Sequence, residues 1–254
     1  MYFKNFRKYP VTPTDSFISH LLELRNHLLK AVAGFLLVFI ALFPFANKIY
    51  ALLAYPLLSK MPAGGQMIAT AVTTPFFVPM KVAMLTAFVI SLPNTLYQVW
   101  SFVAPGLYAH EKKFMLPLVI FSSLLFLAGM SFAYFLVFPV IFGFIVGTAP
   151  KGVAVMTDIG NYLDFVITLF MAFGLAFEVP IAVVLVVRFG WVKIQALKDA
   201  RPYVIVGAFI IGAIFTPPDI ISQFMLAVPM WLLYEIGILV AQFIQPKENV
   251  IGGV

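Results

Sequence analysis

The run FMLPLVIFSSLLFLAGMSFAYFLVF, Phe114 to Phe138, contains no charged side chain. A helix rises about 1.5 Å per residue and bilayer hydrocarbon is about 30 Å thick, so about 20 apolar residues suffice to cross it. This run crosses with some tilt. The whole chain has the same character: 63% of its 254 residues are hydrophobic and 10% charged. Ordinary globular domains run at roughly 45–50% and 25%. A soluble protein must cover its exterior with polar groups, and this chain has too few. Lipid serves as the exterior instead.

Working outward, comparable runs lie at Leu28–Ala46, Phe76–Val103 and Tyr162–Val187, and a longer one at Ile220–Ile244 carries Pro229 and Glu235. Between Arg201-Pro202 and Thr216-Pro217-Pro218-Asp219 lies only Tyr203–Phe215. Its length of roughly 20 Å falls short of the hydrocarbon thickness. The reading is an all-α polytopic membrane protein with six transmembrane helices, spanning about 28–46, 76–103, 114–138, 162–187, 203–215 and 220–244. Residues 1–254 then form a single integral-membrane domain, and helices 5 and 6 a short hairpin turned by Pro-Pro-Asp, around which the bilayer thins. Prolines 79, 93, 117, 180 and 229 predict bent helices. A bundle of bent helices tends to enclose a concavity.

Lysine and arginine set the orientation. With both ends in the cytoplasm, the cytoplasmic side holds Lys4, Arg7, Lys8, Arg25, Lys30, Lys112, Lys113, Arg188, Lys193, Lys198, Arg201 and Lys247. The outer side holds Lys48, Lys60 and Lys151, while Lys81, about one turn into the second span, is expected to snorkel outward. Twelve against three decides the topology. Two long outer loops follow, about 47–75 and 139–161. The first is apolar around Ile49–Leu58 and is expected to lie along the membrane surface.

Composition also excludes. With no cysteine, disulfides and thiolate metal sites are ruled out. The net charge of +6 is placed in the connections between spans, where topology requires it, and does not indicate nucleic acid. His20, His27 and His110 form no metal-ligand set, because His20 with Glu23 is one pair only. No nucleotide, nucleophile or cofactor motif is present, and the chain is not read as an enzyme. Met1 to Arg25 contains neither an apolar signal core nor a cleavage site.

Acidic residues carry more information. Glu23 in HLLELR (20–25) and Glu111 in YAHEKK (108–113) sit on an otherwise basic side. Each either pairs with a neighbouring cation (Arg25, Lys112 or Lys113) or is presented to a cationic partner. Glu178, in FMAFGLAFEVP (170–180), lies well within the fourth span. Insertion scales put an acidic residue at a helix centre at roughly 2.5–3.5 kcal/mol, so it faces the bundle interior or a wet cavity. A carbonyl freed by Pro180 is the local alternative for its partner. Thr216, Asp219, Gln223 and Glu235 add polar groups to the last two helices, where such side chains make helix–helix contacts.

Six stretches, in order, resemble the TatC family, the multispanning core of the twin-arginine protein translocase. They are HLLELRNHL (20–28), MIATAVTTPFFVPMK (67–81), LYQVWSFVAPGLYAHEKK (96–113), FAYFLVFP (132–139), FMAFGLAFEVP (170–180) and RPYVIVGAFIIGAIFTPPD (201–219). The resemblance spans about residues 16–245. It implies a glove-shaped bundle with a concave face and a receptor for signal peptides bearing paired arginines on folded cargo. It further implies export driven by the proton-motive force. By residue, Glu23 and Glu111 match the acidic positions for the arginine pair, and Arg25 the basic residue of the N-terminal motif. Phe102 falls in the first cytoplasmic-loop contact region, and Glu178 matches the intramembrane carboxylate. Thr216 and Gln223 match a patch used by single-span partner subunits of the TatA and TatB type. Implied too are a multimeric receptor complex and a bacterial cytoplasmic (inner) membrane. The chain departs at His27, where the family usually has a second basic residue. A secondary transporter of a small solute is the alternative reading; it predicts inverted repeats and a midplane site. No repeat is visible, and Glu178 is the only candidate for such a site.

Overall fold

The computed structural model describes residues 13–61, 66–103, 112–148, 156–216 and 219–244. Helix α1 (Pro13–Leu42) passes through a 3-10 turn (Phe43–Phe45) into α2 (Ala46–Leu58). After α3 (Thr74–Val103), α4 (Lys112–Phe132) runs through a π turn (Ala133–Val137) into α5 (Phe138–Gly147). Then follow α6 (Ile159–Phe177), α7 (Val179–Arg188), α8 (Ile194–Asp199), α9 (Arg201–Phe215) and α10 (Ile220–Ile244). Among the described residues there is no β-strand, only one isolated parallel bridge between Ile68 and Asp158. Five stretches are long and apolar enough to cross a membrane: Leu21–Leu58, Thr74–Phe102, Leu116–Gly147, Ile159–Arg188 and Ile220–Phe243. Arg201–Phe215 is the shorter sixth.

The prolines have unequal effects. Pro79, Pro93, Pro117 and Pro229 lie inside uninterrupted helices. Pro139 does not end the third span as the sequence suggests. The π turn before it shifts the register, with Phe138 N–H bonding the Ala133 carbonyl, and the helix continues to Gly147. A π turn absorbs one extra residue at the point where proline removes a donor. At Pro180 the helix does break: Glu178 separates α6 from α7.

Segment 46–58 also differs from expectation. Its apolarity is accounted for by packing within the bundle, because Ala54 and Leu57 join a buried cluster with Phe138, Ile141, Phe142, Tyr162 and Phe173. Pro56 has no N–H, so the Leu52 carbonyl four residues back lacks its helical donor. The Tyr134 hydroxyl, from the π turn, donates to that carbonyl at 2.7 Å. Tyr162 donates likewise to the Leu53 carbonyl at 2.5 Å.

Helix α1 packs mainly on α3, α4 on α6 and α3, and α10 on α7 and α9. Large apolar side chains such as Leu37, Ile40, Phe135, Ile214 and Phe243 are exposed on the outside of this bundle. In water such a surface would drive aggregation, whereas in lipid it is the solvated face.

Candidate functional site

The end of the molecule carrying most of the basic residues is called here the basic end, and the opposite one the far end. At the basic end α1 and α3 run antiparallel along a polar seam. His27 Nδ1 and Gln98 Oε1 are 2.7 Å apart. Asn94, one turn along α3, donates from Nδ2 to the Lys30 carbonyl at 3.4 Å. Gly34 completes the seam, since a Cβ there would stand 2.4 Å from Asn94 Nδ2. The absence of a side chain there leaves room for the Asn94 amide.

This register places the candidate recognition residues. Glu23 lies one turn before His27 on α1, and Phe102 one turn after Gln98 on α3. The two therefore occupy neighbouring positions on the next rung of the seam. Glu23 is exposed and Phe102 half-buried. Arg25 is not brought to this face. Two residues of helix turn it about 200° from Glu23, and it is exposed on the side away from α3. Glu111 lies outside the described residues, as do Pro217 and Pro218 of the hairpin turn.

Glu178 sits at the break between α6 and α7. Its Oε2 accepts a hydrogen bond from Ser122 Oγ of α4, and Ser122 is wholly buried. The other oxygen, Oε1, is buried with no hydrogen-bond partner among the described residues. The partner is thus a hydroxyl from a second helix and not a carbonyl freed by Pro180. Lone serines within spans are easily read as spacers, so the sequence offered little to connect Ser122 with a residue 56 positions away.

In the α9–α10 hairpin, Thr216 Oγ1 donates to the Gly212 carbonyl at 2.7 Å and Gln223 Nε2 to the Phe209 carbonyl at 3.0 Å. Gly212 lets Gln223 approach, for a Cβ there would meet Gln223 Cγ at 3.1 Å. Asp219 caps α10, its Oδ1 accepting from Ser222 N–H at 2.7 Å. At the start of the hairpin Arg201 pairs with Glu235 at 2.7 Å, which accounts for the acid in the last span. Both Thr216 and Gln223 are therefore engaged within the chain.

The far end holds residues that sequence reading passed over. Asp158 caps α6: its Oδ1 accepts from Gly160 and Asn161 N–H at 2.9 and 3.0 Å, and its Oδ2 from Thr70 N–H and Oγ1 at 2.9 and 2.7 Å. These bonds, led by that from Asn161, hold its carboxyl down at about 2. An aspartate just before a long apolar run is an N-cap signal that could have been read. Lys81, expected to snorkel outward, meets the exposed Asp164 at 2.5 Å. Among the described residues no cluster of acidic or imidazole side chains could hold a metal ion.

Comparison with known proteins places this geometry. The family model for the Sec-independent protein translocase protein TatC matches residues 19–229. The chain is 54% identical to TatC of Azotobacter chroococcum mcd 1, over 91% of each chain. It is 52% identical to that of Haemophilus influenzae, over 94% of this chain and 93% of the relative. With TatC of Escherichia coli K12 it shares 50% identity, over 92% of this chain and 90% of the relative. A crystal structure described as the twin arginine translocase receptor TatC superposes with a TM-score of 0.77 at 37% identity, covering 88% of this chain and 98% of that one. A second, in the detergent DDM, gives 0.78 at 38% identity over 87% and 99%. With α1 to α10 arranged as in those structures and the match running from the polar seam to the last span, the chain belongs to the TatC family of Sec-independent protein translocase proteins.

Proposed function

We propose that this multi-pass membrane protein is the receptor subunit of a twin-arginine translocase and that its basic end, at Glu23, Phe102 and Glu111, takes the paired arginines of a signal peptide. The observation that carries the site is the register of α1 on α3, which puts Glu23 beside Phe102. Arginine is a planar, permanently charged fork that binds carboxylates in a bidentate way, which lysine cannot copy. Exposed ion pairs contribute only about 0–1 kcal/mol each, while micromolar binding needs about 8 kcal/mol. The carboxylates therefore set specificity. The remaining affinity comes from burying the apolar part of the signal along the helices or in lipid, at about 25 cal/mol per Å².

The basic end then faces the cytoplasm of a bacterial cell, with both termini on that side of the inner membrane. Single-span partners of the TatA and TatB type dock at the short hairpin near Thr216 and Gln223, where a locally thinned bilayer eases the passage of folded cargo. Glu178, with one oxygen on Ser122 and the other without a hydrogen-bond partner among the described residues, is the group assigned to respond to the proton-motive force. Membership of a protein-translocase family displaces the small-solute transporter reading and makes the chain a transport component, not an enzyme.

Photo-crosslinking to a signal peptide bearing Arg-Arg or Lys-Lys tests the site. Glu23→Ala with Glu111→Ala is expected to abolish discrimination between the two peptides and to leave residual membrane-dependent binding. A double variant that still prefers Arg-Arg overturns the assignment.

A further inference from the structure

The α1–α3 seam carries one more inference, which rests on the receptor reading above. Gln98 is 8% exposed, and a buried amide is held in place by the groups it bonds. Its Oε1 meets His27 Nδ1, the rung adjacent to Glu23 and Phe102. Toward its basic end helix α1 has little else to fix its rotation: between residues 21 and 30 His27 is the one side chain that is not exposed. None of its most apolar window is buried, and it packs mainly on α3. Apolar packing resists rotation through interlocking side chains, which the exposed residues 21–26 and 28–30 do not supply, whereas a hydrogen bond constrains direction.

We infer that His27 and Gln98 are positioning residues whose hydrogen bond fixes the rotation of α1 against α3 and so aims the Glu23 carboxylate at the arginine pair. The bond touches no ligand and acts through Glu23. Its effect falls on arginine more than on lysine. A bidentate fork needs the carboxylate in one orientation, while an ammonium is a point charge that tolerates rotation. This chain has an imidazole at the position, so the N–H that reaches Gln98 comes from a shorter side chain than arginine or lysine would offer. Gln98 was legible only as a polar residue one turn from Asn94.

The test uses the full chain in membranes with its partner subunits, and titrates photo-crosslinking with Arg-Arg and Lys-Lys signal peptides. The readout is the ratio of the two affinities. His27→Ala and Gln98→Leu are each expected to lower that ratio about 3- to 10-fold, the range of a single hydrogen bond, with Lys-Lys binding unchanged. The double variant is expected to lose no more than the worse single, because both act through one bond. His27→Arg keeps an N–H within reach of Gln98 Oε1 and is expected to keep the wild-type ratio. Singles that retain the wild-type ratio, or whose losses multiply in the double, overturn the positioning role. If Gln98→Leu does not accumulate in the membrane, His27→Ala against His27→Arg decides alone, because one removes the donor and the other keeps it. A wild-type chain that binds both peptides equally overturns the receptor reading itself, and is thereby distinguished from a failure of the positioning role.

Discussion

At the far end, four side chains tie together elements distant in sequence. Tyr134 and Tyr162 hold the carbonyls of Leu52 and Leu53, Asp158 bonds Thr70, and Lys81 meets Asp164. At the basic end, α1 packs mainly on α3, and between residues 21 and 30 His27 is the one side chain of α1 that is not exposed. The far end is braced mostly by side chains bonded to backbone groups, whereas the basic-end turns of α1 are held through His27, Gln98 and Asn94. Sparsely buried elements open at lower free energy than core ones, and binding segments are drawn from that class. The contrast is of a stable platform and a more adjustable helix α1.

The comparison breaks first if the platform is not what holds the fold. A Cβ at Gly129 of α4 would stand 2.5 Å from the Phe173 carbonyl oxygen of α6, a backbone atom with no freedom to yield. Gly129→Leu is expected to force α4 from α6 and to leave no monodisperse protein by size exclusion in detergent. Normal yield and elution would show that the platform is looser than its contacts indicate.

A smaller effect is expected from Tyr134→Phe, which leaves the Leu52 carbonyl without a donor because Pro56 has none. Leu52 lies exposed on the bundle surface, so the loss is that of one net hydrogen bond, about 0.5–1.5 kcal/mol. Denaturant or thermal unfolding in detergent should register that loss, and Pro56→Ala should restore part of it by returning a helical N–H. No loss would mean that water replaces the tyrosine.

The acid response sharpens the contrast further. Asp158 has its carboxyl lowered from 3.8 to about 2 by the bonds it accepts. A carboxyl lowered on folding adds stability above its unfolded value and loses it as pH falls through the folded one. The tie between residues 68–70 and α6 should therefore loosen from pH 3.8 down to about 2. Limited proteolysis of the far-end loops over that range should show it. Asp158→Asn keeps an N-cap acceptor without titrating and should flatten the profile. A profile unchanged by this substitution would place the acid response elsewhere.

The least expected change is at Lys81 and Asp164, whose side chains are 41% and 57% exposed. Such a pair contributes at most about 1 kcal/mol and is screened by salt. Lys81→Ala should shift unfolding only slightly, and less at high salt. A large shift would mean that lipid or a partner covers the pair.

Much of the fold was legible in the sequence because transfer into lipid is nearly additive along a chain. The uncharged run at Phe114–Phe138 and its counterparts need no partner to be recognised, and Arg201–Phe215 reads as short for the same reason. The boundaries strayed where proline acts through its surroundings: the π turn carried the third span past Pro139, whereas Pro180 broke the fourth. For the candidate site, Glu23 and Phe102 were visible as residue types, and the neighbouring positions they occupy were not.

The sequence by itself determined the solvent and the approximate places of the apolar runs, because these depend on composition over one helix length. Only the tertiary structure decided that Gln98 meets His27, that Ser122 meets Glu178, and that Tyr134 serves the carbonyl Pro56 leaves bare. Each of these depends on the rotation of one helix against another. Hydropathy along a span exposed to lipid does not encode that angle, because nearly every face of such a helix is apolar. A few polar side chains, spaced one turn apart, fix it.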